Sequence, residues 1–433
     1  MTWDPGSSEV IRIHMVPPRF LPFRKVPSIA ILNGQELLPL NEAWAILFTE
    51  FANAVNAHGA GEMSEEDLAG ILDRTFAGVK KVYPQATDEM LKEDLLAITD
   101  TFRTVVRGEI PEVEIGGLSL AGYAKNMTAP HRMDLMVSAM TVNGAWHCNQ
   151  KCLHCYAADQ KLSEVPELST GEWKKIIAAC RKAKIPQLTF TGGEPTLRAD
   201  LCELIKEARW FVTRLNTNGV LLSPELCANL KEAELDSVQV TFYSDKEAVH
   251  NELVGADNYK KTVDGIKNAL AAGLNLSINT PLCTKNREYR DTLKFLHALG
   301  VTYVTCSGLI VTGNARKEES ERTQLAEEEL YRILEDAAAY CYANGMEIAF
   351  TSPGWIAEEK LLAIGLSVPS CGACLSNGRV IPCQSWLDEK PLGDMRTESF
   401  KKIWNCAASR KHRAYASKNK KSCPLRERGE KQK

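Results

Sequence analysis

Residues 143–160 read NGAWHCNQKCLHCYAADQ, and three cysteines inside this stretch, Cys148, Cys152 and Cys155, are spaced C-x3-C-x2-C. Thiolates in so tight a run are ligands for cluster iron, and three of them leave the last iron of a four-iron cluster without a protein ligand. That open iron is where chemistry is expected. The next cysteine is Cys180, too far on in sequence to belong to the run. A structural zinc site favours paired C-x2-C or Cys/His units over a lone triplet with this gap. The apolar run 136–142 just before the cysteines reads as a buried strand. The triplet therefore lies on a loop leaving the carboxyl end of a strand, where α/β barrels place their reacting groups.

In this setting the triplet closely resembles the signature of radical S-adenosylmethionine (SAM) enzymes. The resemblance implies that SAM fills the open iron through its methionyl amine and carboxylate, that His154 takes the aromatic position of the signature, and that Tyr156 lies near the adenine. A second element follows. Residues 187–191 (QLTFT) form a compact apolar strand that ends in Gly192-Gly193-Glu194-Pro195. Two glycines let a backbone approach a ligand closely, and Glu194 supplies a carboxylate able to accept from an ammonium group. The run resembles the GGEP element of the same family, which implies a contact with the amino group of SAM. Read by itself it is an ordinary strand-to-helix turn.

Strand and helix then alternate. Apolar strands are expected at 211–215, 237–242, 274–279 and 301–306, with amphipathic helices such as 258–272 and 287–299 closed by Gly273 and Gly300. Alternation of this kind implies a parallel sheet with right-handed crossovers. Six strands between 137 and 306 suit a partial (β/α)6 barrel, and the fold class expected is α/β. At the strand ends Asn216, Thr217 and Asn218 resemble a SAM-facing run beside the methionyl carboxylate. Asn279, next to Thr280, resembles a contact to the ribose or sulfonium side. The plain alternative for each is a turn or strand end that satisfies its own backbone.

A length of 433 residues allows two or three domains, and a net charge of −3 gives no general pull toward nucleic acid or an anionic membrane. The region from Lys401 onward holds twelve Lys or Arg and two acids, which reads as a solvated tail. No basic region followed by an apolar run opens the chain, and no stretch approaches the ~20 apolar residues of a membrane span. Fourteen cysteines then point to a reducing cytoplasm. Cys180, Cys202, Cys227, Cys283, Cys341 and Cys406 read as packing residues, and Cys306 as a buried thiol at the end of the sixth strand. His147, His250 and His297 offer no identifiable general base.

A second cysteine group closes the chain: Cys371 and Cys374, then Cys383, and finally Cys423. The segment SNGRVIPCQSW reads as a β-hairpin that turns at Asn377-Gly378 and returns from Arg379. With the later PLGDM and SFKKIW stretches it resembles the SPASM-type or shorter twitch extension of radical SAM enzymes. The resemblance implies one auxiliary four-iron cluster held by those four thiolates; zinc on the same set is the alternative.

The first 110 residues read as short strands at 10–15, 28–32 and 36–40. A helix follows whose face is traced by Leu40, Trp44, Leu47, Phe48, Phe51 and Val55, then one opened by Ser64, and a third at 88–106. This order fits a small winged-helix-like α+β module, and its helices lack the basic face that DNA binding requires. In front of such a barrel it resembles the recognition domain of maturases of ribosomally made peptides, where a leader peptide adds as a strand to a sheet edge. The expected organisation is a recognition domain at 1–110, a linker at 111–134, the barrel at 135–345 and a SPASM/twitch-like domain at 346–433.

The VTFYSDKEAVHNELVG and SINTPL stretches resemble thioether-forming maturases of the sactipeptide and ranthipeptide kind. That resemblance implies reductive cleavage of SAM to a 5′-deoxyadenosyl radical, hydrogen abstraction from a leader-bound precursor peptide, and closure of a bond from Cys sulfur to carbon. It also implies an external electron donor of the flavodoxin or ferredoxin-like kind. Carbon–carbon crosslinking and formylglycine formation, as in anaerobic sulfatase maturation, are the rival outcomes.

Overall fold

The computed structural model describes residues 2–3, 11–16, 19–21, 24–26, 28–32, 36–58, 63–107, 109–113, 129–138, 141–142, 145–158, 167–351, 356, 358–366, 373–376, 378–384, 387 and 390–418. The chain divides into two compact units, Met1–Met127 and Thr128–Lys433.

In the first unit β1 (Thr2–Trp3), β2 (Ile11–Val16), β5 (Ser28–Leu32) and β6 (Glu36–Leu40) form an antiparallel sheet in the order β1-β2-β5-β6. A separate hairpin joins β3 (Arg19–Leu21) to β4 (Arg24–Val26). Three helices follow: α1 (Glu42–His58), α2 (Glu65–Lys80) and α3 (Asp88–Val106). Ser64 opens α2 with a capping box, its hydroxyl accepting from the Asp67 amide while the Asp67 carboxylate accepts from the Ser64 amide. Alternate residues of β6, Leu38 and Leu40, join Ile13, Ala30 and Leu32 in one core with Phe48 of α1 and Phe102 of α3. The two phenyl rings meet edge to face at 4.9 Å. The winged-helix-like order read from the sequence is present; the turn expected at Asn33-Gly34 lies outside the described residues.

The second unit is built on a parallel sheet. Its strands are β7 (Arg132–Ser138), β10 (Gln187–Gly192), β11 (Val212–Thr217), β12 (Ser237–Thr241), β13 (Leu276–Pro281), β14 (Tyr303–Ser307) and β15 (Glu347–Phe350). A short hairpin of β8 (Thr141–Val142) and β9 (Ala145–Trp146) stands between the first two. The crossover helices are α4 (Thr170–Lys182), α5 (Leu201–Glu207), α6 (Pro224–Glu232), α7 (Glu247–Val254), α8 (Tyr259–Ala271), α9 (Tyr289–Ala298), α10 (Glu318–Glu321) and α11 (Glu327–Ala343). They bury one face of the sheet under Trp173, Phe190, Phe211, Phe242 and Phe350, each almost wholly enclosed. Gly273 and Gly300 take the left-handed conformation expected of helix C-caps, at φ 66° and 94°.

Seven parallel strands stand where six were expected. The additional one, β15, has four residues, begins with an exposed glutamate and follows a long helix, so its sequence carries almost no alternation. The first strand also starts earlier than the apolar run 136–142, because its inner face carries Arg132 and Asp134, charged residues that pair with each other.

After α12 (Glu358–Ala363) the chain returns to the opposite side of β7. There β16 (Ala373–Ser376) runs parallel to β7, and β17 (Arg379–Ile381) and β18 (Gly393–Asp394) add antiparallel. Gly378, at φ 80°, sits in the tight connection of the hairpin expected there. Then come α13 (Phe400–Trp404) and α14 (Ala407–Lys418). The ladder ends at β15 on one side and β18 on the other, an open barrel as expected. Cys180, Cys227, Cys283, Cys306 and Cys341 are buried, in keeping with packing roles, while Cys202 and Cys406 are half-buried. Among the described residues no helix is long and apolar enough to cross a membrane.

Gly265 on α8 lies against the turn after β11: a Cβ there would stand 2.0 Å from the Gly219 carbonyl oxygen. Alanine is the better helix former by about 1 kcal/mol. Gly265→Ala is nonetheless expected to lose about 1–3 kcal/mol through overpacking, read as a lower urea midpoint.

Candidate active site

The cysteine loop is pinned from three directions, mostly through its own backbone. From the end of α7, the carbonyls of Val254 and Leu253 accept from the amides of Lys151 and Leu153, at 3.0 and 2.9 Å. Gly255 at φ 63° closes that helix, and a Cβ on it would meet the Lys151 carbonyl oxygen at 2.5 Å. From the segment after β14, the Asn314 amide donates to the Cys155 carbonyl at 2.9 Å and its side-chain nitrogen to the Cys152 carbonyl at 3.0 Å. The hydroxyls of Thr312 and Ser320 donate to the carbonyls of Tyr156 and Leu153. A Cβ on Gly313, at φ 56°, would lie within 2.5–2.8 Å of the carbonyl oxygens of Cys155, Tyr156 and Ala158.

The third direction is the turn after β10. The Gly193 amide donates to the Ser138 carbonyl and the Glu194 amide to the His147 carbonyl, both at 3.1 Å. A Cβ on Gly193 would stand 2.2 Å from the His147 carbonyl oxygen, so only glycine lets the turn close on the residue preceding Cys148. Glu194 is fully buried. Its carboxylate accepts from the Thr196 amide and hydroxyl, the Thr217 hydroxyl and the Asn218 amide, at 3.0, 2.5, 2.7 and 2.8 Å. Three of these donors meet Oε1 and one, the Asn218 amide, meets Oε2. Burial pushes this carboxyl up and the four donors pull it back. The carboxylate read from the sequence as an ammonium acceptor thus also ties the end of β11 to the turn. Asn218 extends the tie, its side-chain nitrogen donating to Asn149 at 2.6 Å.

His154 is buried and braces the loop. Its Nε2 lies 2.7 Å from the Thr323 hydroxyl, which donates onward to the Ser320 carbonyl, so Nε2 is the ring's donor. Burial lowers its pKa to about 4 and keeps the ring neutral. Tyr156 is half-buried beside Met136, Ala157, Ile381 and Leu387. Asn216 shares the inner strand face with Arg214, two residues away. Asn279 belongs to a polar group on the inner face: its Oδ1 accepts from the Thr305 hydroxyl at 2.9 Å and more weakly from Thr351 at 3.4 Å, and Gln239 donates to Thr305 at 3.2 Å. Gln239, Thr305 and Thr351 were not singled out from the sequence, although strand alternation places them on the face of Asn279. Also missed was a charged chain behind the loop, in which His147 meets Glu167, Glu167 meets Arg198 at 3.3 Å, and Arg198 pairs with Asp200 at 2.7 Å. It is long-range and has no sequence signal.

Beside these occupied carbonyls, the loop carries three half-buried thiols. Burial first, and then the charges of Glu194 and Cys155, push the Cys148 thiol up to about 12; Cys152 is raised by burial and by the other two cysteines. Such groups ionise together only around a strongly positive centre. Among the described residues no three His, Cys, Asp or Glu side chains converge as around a single metal ion; a four-iron cluster takes one thiolate per iron. The donor set fits a cluster. Of the second cysteine group, Cys383 is half-buried after β17 and Cys374 lies on β16, while Cys371 and Cys423 fall outside the described residues.

Gly193→Ala is expected to force the turn away from His147 and to weaken SAM binding about tenfold or more, the equivalent of a 1–3 kcal/mol packing cost, measured by SAM titration of the reconstituted protein. A pH effect follows from His250 on α7, whose Nδ1 accepts the Tyr243 amide. Burial depresses its pKa to about 4, so the unfolded chain binds the extra proton first. Its contribution is complete above pH ~6.5 and is lost as pH falls toward 4, by up to roughly 3 kcal/mol. In denaturation measured across that window, His250→Asn should flatten the slope.

Two family models match the chain: the radical SAM superfamily over residues 147–296 and an iron-sulfur cluster-binding domain over residues 371–425. The AdoMet-dependent heme synthase of Oleidesulfovibrio alaskensis is 31% identical over 281 residues, 59% of this chain and 71% of that protein. A probable GTP 3′,8-cyclase of Sulfurisphaera tokodaii is 36% identical over 150 residues, 34% of this chain and 47% of that protein. Among solved structures, Streptococcus suis SuiB bound to precursor peptide SuiA superposes with a TM-score of 0.55 over 88% of this chain and 86% of its own, at 13% identity. Native anSMEcpe with bound AdoMet gives 0.53 over 65% and 82%, at 16% identity. These two bear on the fold. The matched domains imply a SAM-binding [4Fe-4S] cluster, auxiliary cluster iron and SAM itself as cofactors. With its thiolate triplet held by the glycine turn at the mouth of an open parallel barrel, this chain belongs to the radical SAM superfamily and carries a SPASM-type iron-sulfur extension.

Proposed function

We propose that this protein is a maturase that forms thioether crosslinks, from Cys sulfur to carbon, in a precursor peptide held by its leader. The observation that supports a peptide substrate is the first unit. A chain whose cluster sites all lie after residue 128 carries a separate sheet-and-helix module, in which β6 stands at the edge of the ladder with one side unpaired among the described residues. An open edge is a template for an added strand. Backbone hydrogen bonds would give affinity, and side-chain pockets selectivity. Leader binding would then raise the local concentration of the core peptide at the barrel mouth.

When bound, the cluster and SAM supply one-electron reductive cleavage and a carbon radical that abstracts hydrogen. Cys148, Cys152 and Cys155 would hold that cluster. The turn at Gly192, Gly193 and Glu194, with Asn216, Thr217, Asn279, His154 and Tyr156, would shape the SAM pocket. Cys371, Cys374, Cys383 and Cys423 would hold one auxiliary cluster, able to take up the second electron as the new bond closes. A reducing cytoplasm and a flavodoxin or ferredoxin-like donor complete this reading. The identity shared with the O. alaskensis protein favours a second reading, action on a haem precursor.

The test is anaerobic incubation with SAM, reductant and a short cysteine-bearing precursor peptide, expected to be encoded beside the gene. A product lighter by two hydrogens per link, with cysteine no longer open to alkylation, is expected. Unchanged peptide mass beside freely released deoxyadenosine would count against peptide modification, and turnover of a haem precursor would favour the second reading.

A further inference from the structure

Asp134 is a carboxylate enclosed in the barrel wall, 1% exposed, on the strand that leads toward the cysteine loop. Its Oδ1 lies 3.0 Å from Arg132 Nε, a partner on its own strand. Its Oδ2 accepts at 2.8 Å from the side-chain amide of Gln384, a residue 250 positions away that directly follows Cys383. Backbone pairing brings the same segments together: β16 runs beside β7 with Cys374 opposite Asp134, and β17 returns with Ile381 opposite Cys374. Ile381, in turn, packs with Met136 and Ala157 against half-buried Cys155 and Tyr156. The segment carrying Cys383 is therefore held at one point by an enclosed carboxylate and at another by the loop that carries the first cluster's ligands.

A buried ion pair is a poor source of stability, since desolvation offsets most of the attraction; what Asp134 supplies here is a fixed acceptor for Gln384. The amide of Gln384 donates to this enclosed carboxylate, so the bond fixes where the chain passes as it leaves Cys383. We propose that Asp134 is a positioning residue for the auxiliary iron site, fixing Cys383 against the first barrel strand so that the second cluster assembles in register with Cys374. The inference rests on the reading of Cys371, Cys374, Cys383 and Cys423 as ligands of one auxiliary cluster. It assigns the barrel, and not the extension alone, part of the work of shaping that site.

The experiment uses the full chain reconstituted without oxygen, with iron and sulfide counted per chain and the reduced protein examined by electron paramagnetic resonance with and without SAM. Wild type should hold about eight irons, and only one of its two signals should change on adding SAM. In Asp134→Asn and Gln384→Leu the iron should fall toward about four, with loss or shift of the signal that ignores SAM and retention of the one that responds. Gln384 is half-buried and its substitution leaves no charge unpaired, so it decides the matter should Asp134→Asn fail to fold. A Gln384→Leu protein with wild-type iron and an unaltered SAM-insensitive signal overturns the positioning role. Wild type holding only about four irons, or zinc at the second site, overturns the auxiliary-cluster reading and the inference with it.

Discussion

Gathering three thiolates at one half-buried place is the constraint on which the rest of the second unit depends. Like charges repel, and a loop rich in free carbonyls would add its own oxygen donors to any metal that came. The fold meets both conditions with backbone hydrogen bonds. Carbonyls of the loop, at Cys152, Leu153, Cys155 and Tyr156, are taken by Asn314, Ser320 and Thr312. Its leading residue, His147, is held by the turn at Gly193 and Glu194. Fewer oxygen donors are then left to compete with sulfur. The glycines at 193, 255 and 313 are the sterically demanding positions, because each lies against a loop carbonyl where a side chain would not fit.

The same constraint explains the odd placement of Glu194. The Glu194 carboxylate raises the pKa values of Cys148 and Cys152, which is the wrong direction for ligation. Four donors converge on it and spread its charge into the backbone of Thr196 and Asn218. In exchange the end of β11 is locked to the end of β10, and through the contact of Asn218 with Asn149 both are locked to the cysteine loop.

Much of this was legible in the sequence, and the parts that were not share a physical reason. Local chemistry was visible: the C-x3-C-x2-C spacing, the paired glycines at 192 and 193, the cap at Ser64, the helix over Asp88–Val106 and the tight hairpin around Gly378 each depend on residues a few positions apart. Alternation revealed the barrel strands wherever one face was apolar. It failed at Arg132 and Asp134, which pair with each other while Asp134 also accepts a hydrogen bond from a residue 250 positions away, and at β15, which is too short to show a period. The hydrogen-bond partners of Glu194 were hidden for a related cause. A GGEP run shows that a carboxylate is present, and only the folded chain shows that Thr217 and Asn218 also donate to it.

Strand β7 therefore serves two sites at once. On one side it pairs with β10, whose closing turn holds the residue before Cys148; on the other it pairs with β16, which carries Cys374. Parallel strands buried on both sides admit little sliding, because a shift of one residue would turn Asp134 from Gln384 toward the helices and bring Leu135 inward. A register so constrained ties the spacing of the two cysteine groups to the pleat of one strand. Met136, Ile381 and Leu387 fill the space between them with apolar contact that also reaches Cys155 and Tyr156. The cysteine loop and the segments carrying Cys374 and Cys383, more than two hundred residues further along the sequence, can thus keep a fixed geometry without any rigid segment of chain running between them, because the sheet itself is the ruler.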